Sequence, residues 1–391
     1  MLINRPKLIK LVESEFDIHQ VCALLGPRQC GKTTLVKEIA AQSNYHYFDC
    51  ENAIHLARLE NPLYTLGKLN GLIIIDEVQL RPDLFSAIRV LVDEDPHKRF
   101  LITGSASRDL IEQSSQTLAG RIGYHQVTPF TIAEAPDWKL LWKRGGFPKS
   151  YLASNDSLSK RWRDEYIKTF LERDLASLGF ALNPPIVAKL WRMLAHYHGQ
   201  TLNYAELATS LGIDQRTIKK YVLALEGTFM IRLLKPWHSN QKKREVKTPK
   251  IYIRDSGLLH RLLYVEMDDI DNHPKCGASF EGFAIETIFT IVNDLDEGYF
   301  WGVHNVAEID FLASINNKRI GIEIKMTDSP KVTASMNEAL NVLGLTEIVI
   351  VTPHSGNFAL AHKVRHVGIT ELQEYLEGEP ALSGSPPVSL N

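Results

Sequence analysis

A glycine-rich stretch near the N-terminus has the residue types that a phosphate-binding loop needs. Residues 26–33 fit the pattern G-x-x-x-x-G-K-[ST] at every fixed position. Glycines let such a loop turn tightly and aim its backbone N–H groups at phosphate oxygens. We expect Lys32 to reach the β- and γ-phosphates of a nucleotide and the Thr33 hydroxyl to ligate Mg²⁺. The predicted nucleotide-binding residues are Gly26, Pro27, Arg28, Gln29, Cys30, Gly31, Lys32, Thr33 and Thr34.

Two adjacent acids follow a second apolar run. Residues 71–75 predict a buried strand, and Asp76 and Glu77 come directly after it. Parallel α/β sheets present ligand-binding groups at the carboxyl ends of their strands. We expect Asp76 to hold Mg²⁺ through its water shell and Glu77 to polarise the attacking water. Standing alone, the two acids would fit a solvated turn equally well, but the phosphate-loop pattern upstream favours the catalytic interpretation.

A third apolar run, residues 99–105, ends in small polar side chains at the same predicted sheet edge. Thr103 or Ser105 could hydrogen-bond the γ-phosphate or the lytic water. A phosphate loop, an acidic strand and a polar-ended strand together are typical of an ATPase. The sequence therefore predicts ATP and Mg²⁺ as the ligands, with Lys32 and Glu77 among the catalytic groups.

The C-terminal part holds a second set of acids. Glu281 lies in an apolar helical stretch, Asp310 follows Ile309 in a predicted strand, and Glu323 and Lys325 alternate with apolar residues in the next. Strand alternation places Glu323 and Lys325 on one face. Three carboxylates could hold Mg²⁺ while Lys325 activates water near a scissile phosphodiester. The alternatives are a surface E-x-K strand and a site that binds DNA without cutting it.

The middle of the chain predicts a helix-turn-helix. Residues 203–212 form one predicted helix that ends at Gly212, and Asp214 is a good N-cap for the next. Arg216, Lys219 and Lys220 lie early on this second helix, where contacts with nucleic acid would be made.

A basic cluster follows the helix-turn-helix. Residues 241–250 carry five basic side chains against Glu245, between two apolar runs that predict a β-hairpin wing. Such a module would grip DNA mainly through phosphates. Docking to a protein and a solvated lysine-rich turn remain open alternatives. The basic residues at the predicted tip are Lys242, Lys243 and Arg244, followed by Lys247 and Lys250.

Composition limits the class of protein. The 391 residues are 44% hydrophobic and 23% charged, with a formal net charge of −2, so any nucleic-acid partner must meet a local basic patch. No apolar run is long enough to span a bilayer, and the N-terminus lacks a secretion signal. We expect a cytoplasmic protein with no membrane partner. The four cysteines lack C-x-x-C spacing, so neither a disulfide framework nor a zinc site is predicted.

The motifs together resemble AAA-type ATPases. The finer pattern lies in residues 75–79, 101–105, 118–121 and 129–130, and it is similar to a large prokaryotic family of ATPases. Members carry a C-terminal domain of unknown function with a PD-(D/E)xK nuclease-like core, and the resemblance covers nearly the whole chain. It implies a P-loop NTPase parallel sheet and a C-terminal restriction-endonuclease-like α/β domain. The helix-turn-helix and its basic wing predict a winged-helix module between them.

The resemblance also implies a homo-oligomer, because AAA-type proteins usually take an arginine finger from the adjacent subunit. Arg121 is the first candidate, acting on its own or a neighbour's γ-phosphate. Arg173 is the second candidate, and a purely structural arginine is the alternative.

The predicted domains are an AAA-type ATPase domain at 1–145, a helical lid or linker at 146–182, a winged-helix domain at 183–265, a nuclease-like domain at 275–376 and a disordered tail at 377–391.

Three functions fit these features. The first is a Mg²⁺-dependent ATP-hydrolysing protein acting on or bound to DNA. The second is an ATP-regulated, metal-dependent DNA nuclease. The third is a nucleotide-dependent switch that binds a protein partner. Added DNA should raise hydrolysis in the first. The second predicts metal-dependent nicking that is abolished by changing Glu323 or Lys325, and in the third added DNA should change nothing.

Overall fold

A computed structural model describes residues 3–41, 44–105, 118–177, 182–238, 246–292, 298–303 and 307–378. The chain divides into two compact units. Unit 1 consists of Met1–Pro136, Arg144–Trp191 and Tyr204–Ile231, and unit 2 consists of Asp137–Lys143, Arg192–Asn203 and Arg232–Asn391. Within the ranges given above, no helix has the length and apolar character needed to cross a membrane.

The strands, in chain order, are β1 (Val21–Leu25), β2 (Tyr45–Asp49), β3 (Leu72–Asp76), β4 (Arg99–Gly104), β5 (Ile122–Gln126), β6 (Gln200–Thr201), β7 (Ile231–Pro236), β8 (Lys250–Ile253), β9 (Tyr299–Val303), β10 (Ala307–Ile315), β11 (Lys318–Ile324), β12 (Glu347–Thr352), β13 (Asn357–Ala361) and β14 (Val364–Gly368).

The α-helices are α1 (Pro6–Ile18), α2 (Lys32–Ala40), α3 (Ala53–Arg58), α4 (Pro62–Gly67), α5 (Leu84–Glu94), α6 (Trp138–Arg144), α7 (Pro148–Tyr151), α8 (Asp156–Thr169), α9 (Leu175–Ser177), α10 (Pro184–His196), α11 (Tyr204–Leu211), α12 (Gln215–Gly227), α13 (Ser256–Leu262), α14 (Cys276–Ile291), α15 (Ala334–Leu343) and α16 (Leu372–Glu377).

Unit 1 is built on a parallel sheet with the strand order β2-β3-β4-β1-β5. All four strand pairings are parallel, so the carboxyl ends of the five strands meet at one edge. Strands β1 and β3 are buried along their whole length, as their continuous apolar sequences predict. The core includes Phe48, Ile75, Phe85 and Ile102. The α/β fold with a parallel sheet resembling P-loop NTPases is therefore confirmed.

Helix α8 ends in a π-helical turn rather than running on as one regular helix. The helical lid or linker predicted at 146–182 is helical, but residues Phe170–Asp174 form a π-helix between α8 and α9. Phe170 and Asp174 are both buried. The ring centroids of Phe170 and Trp191 lie 5.1 Å apart. Single π-turns of this kind often occur at functional sites.

Unit 2 is built on a mixed sheet with the order β13-β14-β12-β11-β10-β9-β7-β8-β6. Strands β9, β10 and β11 form antiparallel pairs, whereas β11, β12 and β14 pair in parallel. Helix α15 packs on the sheet through Met336 and Ala339, in a core that also contains Trp301 and Ile348. Three of the elements around the second acid set, the helix carrying Glu281 and strands β10 and β11, thus form as the sequence predicts.

The predicted winged-helix segment contributes to both units. Helices α11 and α12 lie in unit 1, while strands β7 and β8 belong almost entirely to unit 2 and enter its sheet. The domain boundaries and the winged helix remain predictions. Of the predicted disordered tail, Glu377 ends α16 and Gly378 follows, and residues 379–391 lie outside the described part of the chain.

Candidate functional site

The loop between β1 and α2 has the backbone shape that its sequence predicts. Gly31 adopts φ 102° and caps the N-terminus of α2, and Gln29 also has a positive φ of 62°. A side chain on Gly26 would collide with the carbonyl oxygen of Val127. The helix N-terminus therefore follows directly from the tight loop, which is the arrangement that attracts phosphate groups.

Lys32 is folded onto this loop. Its side chain is buried, and Nζ donates hydrogen bonds to the carbonyl oxygens of Gly26 (2.8 Å) and Pro27 (2.9 Å). These neutral acceptors satisfy the ammonium group inside the cradle. Phosphate oxygens, which carry charge, make stronger acceptors for the same group. The lysine is thus held within the loop that the sequence predicts it to serve.

Three hydroxyl groups converge on Asp76 at the end of β3. Thr33 Oγ1 donates to Oδ2 at 2.9 Å, and Tyr47 OH donates to the same oxygen at 2.6 Å. Thr103 Oγ1 donates to Oδ1 and accepts a hydrogen bond from the backbone N–H of Glu77. Burial, and then the Asp76 carboxylate, raise the pKa of Tyr47 well above its usual value, so this hydroxyl keeps its proton. Thr33 and Asp76 supply adjacent oxygen ligands and fit a magnesium ion.

Glu77 is oriented by its neighbours. The residue has φ 54°, which turns the chain sharply after β3. Ser105 Oγ donates to Glu77 Oε2 at 2.9 Å, and Gln79 Nε2 donates both to Oε2 and to Ser105 Oγ. Ser105 and Thr103, which the sequence predicts as contacts of the phosphate or water, thus bond to the two carboxylates. The predicted residues Lys32, Thr33, Asp76, Glu77, Thr103 and Ser105 all lie at the carboxyl edge of the sheet.

The other loop residues have different surroundings. Cys30 is buried and its Sγ lies 3.4 Å from the carbonyl oxygen of Val127, so it packs the loop rather than facing solvent. Thr34 is exposed in the first turn of α2. Arg28 reaches out of the loop to Asp174 and Glu51.

Arg121 lies at the opposite edge of the sheet from the loop. It immediately precedes β5, and its carbonyl oxygen accepts from the N–H of Val21, the first residue of β1. A five-residue strand, roughly 13 Å long, therefore separates Arg121 from the loop that follows Leu25. The guanidinium instead forms an ion pair with Asp93 at 2.6 Å. Of the two alternatives that the sequence leaves open, action on the chain's own γ-phosphate does not fit this position, and action on a neighbouring subunit stays a prediction.

The second arginine candidate, Arg173, is next in sequence to a residue that contacts the phosphate loop. Arg173 is an exposed residue of the π-helical turn. The next residue, Asp174, bonds Arg28 of the loop at 2.7 Å. The π-turn is therefore attached directly to the phosphate loop.

In unit 2 the predicted acids do come together. The ladder between β10 and β11 pairs Phe311 with Ile322, so Asp310 and Glu323 lie one step further along it. Asp310 Oδ2 accepts from the N–H of Ile324 at 2.9 Å. Lys325 Nζ lies 2.7 Å from Glu323 and 3.6 Å from Asp310, which confirms the predicted common face.

Lys250 adds a second ammonium group to these acids. Its Nζ lies 3.6 Å from Glu281 Oε1 and 3.8 Å from Asp310 Oδ1, and it also contacts Glu308. Tyr252, two residues along β8, donates to the same oxygen of Glu281 at 2.5 Å. Including Lys250 in an exposed basic wing was therefore wrong, because its side chain is buried among carboxylates.

The acids of unit 2 do not fit a metal ion in this arrangement. Among the described residues, no group of three His, Cys, Asp or Glu side chains is placed to hold one. Burial and the charge of Asp310 raise the pKa of both Glu281 and Glu323, so these carboxyls retain protons more readily than usual. Lysine ammonium groups also occupy the space between the acids. The second metal site at Glu281, Asp310, Glu323 and Lys325 stays a prediction, and in this structure lysine ammonium groups contact its carboxylates.

Three of the six predicted DNA-contacting residues lie on a described helix, α12. Asp214 caps α12 by accepting hydrogen bonds from the N–H groups of Arg216 and Thr217. Arg216, Lys219 and Lys220 are exposed, and Lys219 Nζ lies 5.5 Å from the ring centre of Tyr204. The remaining predicted contacts, Lys242, Lys243 and Arg244, lie outside the described residues.

Sequence reasoning missed three groups in these clusters. Tyr47 contacts Asp76, Gln79 holds Glu77 and Ser105, and Lys250 links two acids of unit 2. Gln79 could have been predicted from the sequence, since it follows the two acids closely. Tyr47 and Lys250 belong to no recognisable sequence motif, and only the pairing of strands in the structure reveals their partners.

Domain-family profiles match three consecutive parts of the chain. An AAA domain matches residues 19–135, and two domains of unknown function, DUF8612 and DUF4143, match residues 135–269 and 276–372. The AAA match covers the loop, Asp76 and Glu77. It supports ATP binding and hydrolysis by unit 1.

Two mycobacterial relatives share most of the chain. Uncharacterized protein Rv2008c of Mycobacterium tuberculosis and Uncharacterized protein Mb2031c of Mycobacterium bovis are each 42% identical over 372 residues, covering 93% of this chain and 83% of the relative.

Solved structures give looser matches. The Walker-type ATPase PABY2304 of Pyrococcus abyssi has a TM-score of 0.47 at 14% identity, covering 67% of this chain and 96% of its own. The RuvB Holliday junction branch migration motor of Thermotoga maritima has a TM-score of 0.28 at 20% identity, covering 58% and 88%. Similarities this loose carry no argument about this chain.

Proposed function

Because this chain belongs to one family with the mycobacterial proteins Rv2008c and Mb2031c and contains an AAA domain, we propose that it is a Mg²⁺-dependent ATP-hydrolysing protein that acts on DNA or is bound to it. The observation that carries the proposal is the contact of Thr33 with Asp76 at 2.9 Å. It joins the end of the phosphate loop to the acid of β3, and Lys32 lies buried in the same loop.

The described side chains have different proposed roles in hydrolysis. Lys32 exchanges the carbonyl oxygens of Gly26 and Pro27 for phosphate oxygens. Glu77, fixed by Ser105 and Gln79, polarises the attacking water. Mg²⁺, when bound near Thr33 and Asp76, neutralises charge on the phosphate oxygens. Catalysis of phosphoryl transfer rests largely on such positioning and charge stabilisation.

DNA is the proposed partner because of the exposed face of α12. Arg216, Lys219 and Lys220 project from the N-terminal half of a capped helix that follows a short turn. Basic side chains on such a helix bind phosphates and give affinity that falls steeply with salt. A homo-oligomer belongs to the same proposal, with Arg121 acting on a neighbouring subunit.

The acid cluster of unit 2 argues against the nuclease alternative. Metal-assisted cleavage needs carboxylates that are free to bind a cation, and Lys250 and Lys325 contact those of unit 2. The protein-partner switch is the remaining alternative, and it predicts ATP turnover that added DNA does not change. The DNA-bound ATPase therefore remains the function that the geometry supports best.

The test is ATP turnover by the purified chain with and without duplex DNA. We expect hydrolysis to rise when DNA is added, and Lys32→Ala to lower it about 100-fold or more, because the charged contact to the phosphates is lost. Lys10→Ala, which changes an exposed lysine of α1, is the matched control and should behave as wild type.

The outcomes separate the hypotheses. Turnover that is indifferent to DNA, without any binding of DNA, would favour the protein-partner switch. Cut DNA on a gel run alongside would revive the nuclease. Turnover that persists in Lys32→Ala would place hydrolysis outside this loop.

A further inference from the structure

Arg28 differs from the other loop residues because both ends of its guanidinium bind carboxylates outside the loop. NH1 donates to Asp174 at 2.7 Å, and NH2 donates to Glu51 at 2.5 Å. All three residues belong to unit 1. Asp174 is buried in the π-helical turn, whereas Glu51 is exposed and follows β2. A phosphate-binding loop is thus tied by one side chain to the turn that ends α8.

The direction of Arg28 matters for the chemistry. Glu51 stands beyond the carboxyl end of β2, which is the neighbour of β3 in the sheet. Burial lowers the pKa of Arg28, but the hydrogen bond and charge of Asp174 outweigh it. The charge of Glu77 also raises the pKa of Arg28, so the two side chains lie within electrostatic range. Because Glu51 follows β2 and Glu77 follows the adjacent strand β3, the bond with Glu51 places the guanidinium of Arg28 at the same carboxyl edge of the sheet as the acid proposed to polarise water.

A guanidinium in this position has two kinds of acceptor within its range. Carboxylates and phosphates both match its planar fork, and phosphate oxygens carry more charge when the γ-phosphate is present. The γ-phosphate would stand near Glu77, since that acid must reach the attacking water. ADP lacks this group and leaves Arg28 with its carboxylates.

We propose that Arg28 exchanges Asp174 and Glu51 for the γ-phosphate when ATP binds, and so serves as an arginine that stabilises the transferring phosphoryl group from within the same chain. This inference rests on the proposed ATPase function. Release of Asp174 removes the side-chain tie between the π-turn and the loop, while the hydrogen bond from Tyr166 OH of α8 to the carbonyl oxygen of Arg28 (3.4 Å) can remain. The presence of the γ-phosphate is thus transmitted to the π-turn. Arg121, at the far edge of the sheet, is not needed for this step.

The test compares two variants whose effects should have opposite signs. Arg28→Ala should weaken ATP binding about tenfold while changing ADP binding less than about twofold, because only ATP offers the γ-phosphate. Turnover should fall by about 10³-fold, as for other arginines that act on a transferring phosphoryl group. Both affinities are measured by calorimetry with Mg²⁺ present.

Glu51→Gln removes the exposed competitor and leaves the fold untouched. It should strengthen ATP binding about threefold, without strengthening ADP binding, because one charge-assisted bond no longer holds Arg28 away. Glu60→Gln, an exposed acid at the end of the neighbouring helix α3, is the control and should match wild type.

A purely structural role of Arg28 predicts a different result. If Arg28→Ala weakens ATP and ADP binding by the same factor, so that its ratio of ATP to ADP affinity equals that of wild type, or if Glu51→Gln does not strengthen ATP binding, the inference is overturned while the ATPase proposal stands. If the wild-type chain binds neither nucleotide, the proposed function fails and the inference fails with it. Should Arg28→Ala not fold, Glu51→Gln decides alone.

Discussion

The two acid clusters of this protein contain similar residues but satisfy them differently. In unit 1, Asp76 accepts hydrogen bonds from the hydroxyls of Thr33, Tyr47 and Thr103. In unit 2, Glu281 and Asp310 face the ammonium group of Lys250, and Glu323 faces that of Lys325. Hydroxyl donors leave the charge of a carboxylate in place, whereas an ammonium group cancels it; that of Lys250 is buried and that of Lys325 is exposed.

This difference shows why the identity of the partner decides what an acid can do. A carboxylate surrounded by neutral donors can still attract a divalent cation, which prefers charged oxygen ligands. A carboxylate that already pairs with lysine must first lose that partner, at a considerable cost when both are buried. Unit 1 leaves the charge of Asp76 available to the proposed magnesium ion, and unit 2 contains its own cations.

The largest expected effect concerns the acid that acts on water in unit 1. Glu77→Gln should reduce kcat about 10³-fold, because an amide cannot accept a proton from the attacking water. Nucleotide affinity should hardly change, since Ser105 and Gln79 can still bond the amide. Single-turnover measurements with labelled ATP check both statements.

Glu60→Gln serves as the control for Glu77→Gln because Glu60 is exposed and away from the cradle. An unchanged kcat in Glu77→Gln would mean that another group activates the water, and the functional contrast between the two acid clusters would disappear.

The next effect concerns the buried ammonium group of Lys250 in unit 2. Lys250→Met should lower the free energy of unfolding by about 3 kcal/mol, because it leaves buried acids without their partner. Adding Mn²⁺ without nucleotide should restore part of this stability, since a divalent cation can then stand between Glu281 and Asp310. Chemical denaturation with and without the metal measures both changes.

Lys318→Met, at an exposed lysine of β11, is the control for Lys250→Met. Should Lys250→Met prove as stable as wild type, the ammonium group does not hold the acids together, and the proposed distinction between the clusters is broken.

A smaller effect concerns α12. Changing Lys219 and Lys220 together to alanine should weaken DNA binding and reduce the slope of log K against log salt by about 2, one unit for each lost phosphate contact. Lys189→Ala, an exposed lysine of α10, should leave the slope alone. Equal slopes in wild type and double variant would remove α12 from the DNA interface.

The chemistry of unit 1 was predictable because its signals are local. The loop, the paired acids and the polar strand end each lie within a few residues of a recognisable apolar strand, and a parallel sheet brings such ends to one edge. Thr33, Asp76 and Thr103 therefore meet as expected.

The remaining features depend on contacts between distant segments. The sequence does not decide whether Arg121 acts on its own or a neighbour's γ-phosphate. Arg121 precedes β5, and the direction of that strand places it at the edge of the sheet away from the loop of its own chain. Lys250 was expected in an exposed wing, but β8 joins the sheet of unit 2 and buries it. The bond of Arg28 with Asp174 joins residues separated by 146 positions, which no local pattern reveals.

The most direct test of the account is the Mg²⁺ dependence of ATP turnover in wild type, Asp76→Asn and Tyr47→Phe. The account predicts that Asp76→Asn raises the Mg²⁺ concentration needed for half-maximal turnover by about 10- to 100-fold. Tyr47→Phe, which removes a hydroxyl but keeps the charge, should shift it only slightly. Equal Mg²⁺ requirements in wild type and Asp76→Asn would contradict the claim that unit 1 binds the ion of Mg-ATP at this acid.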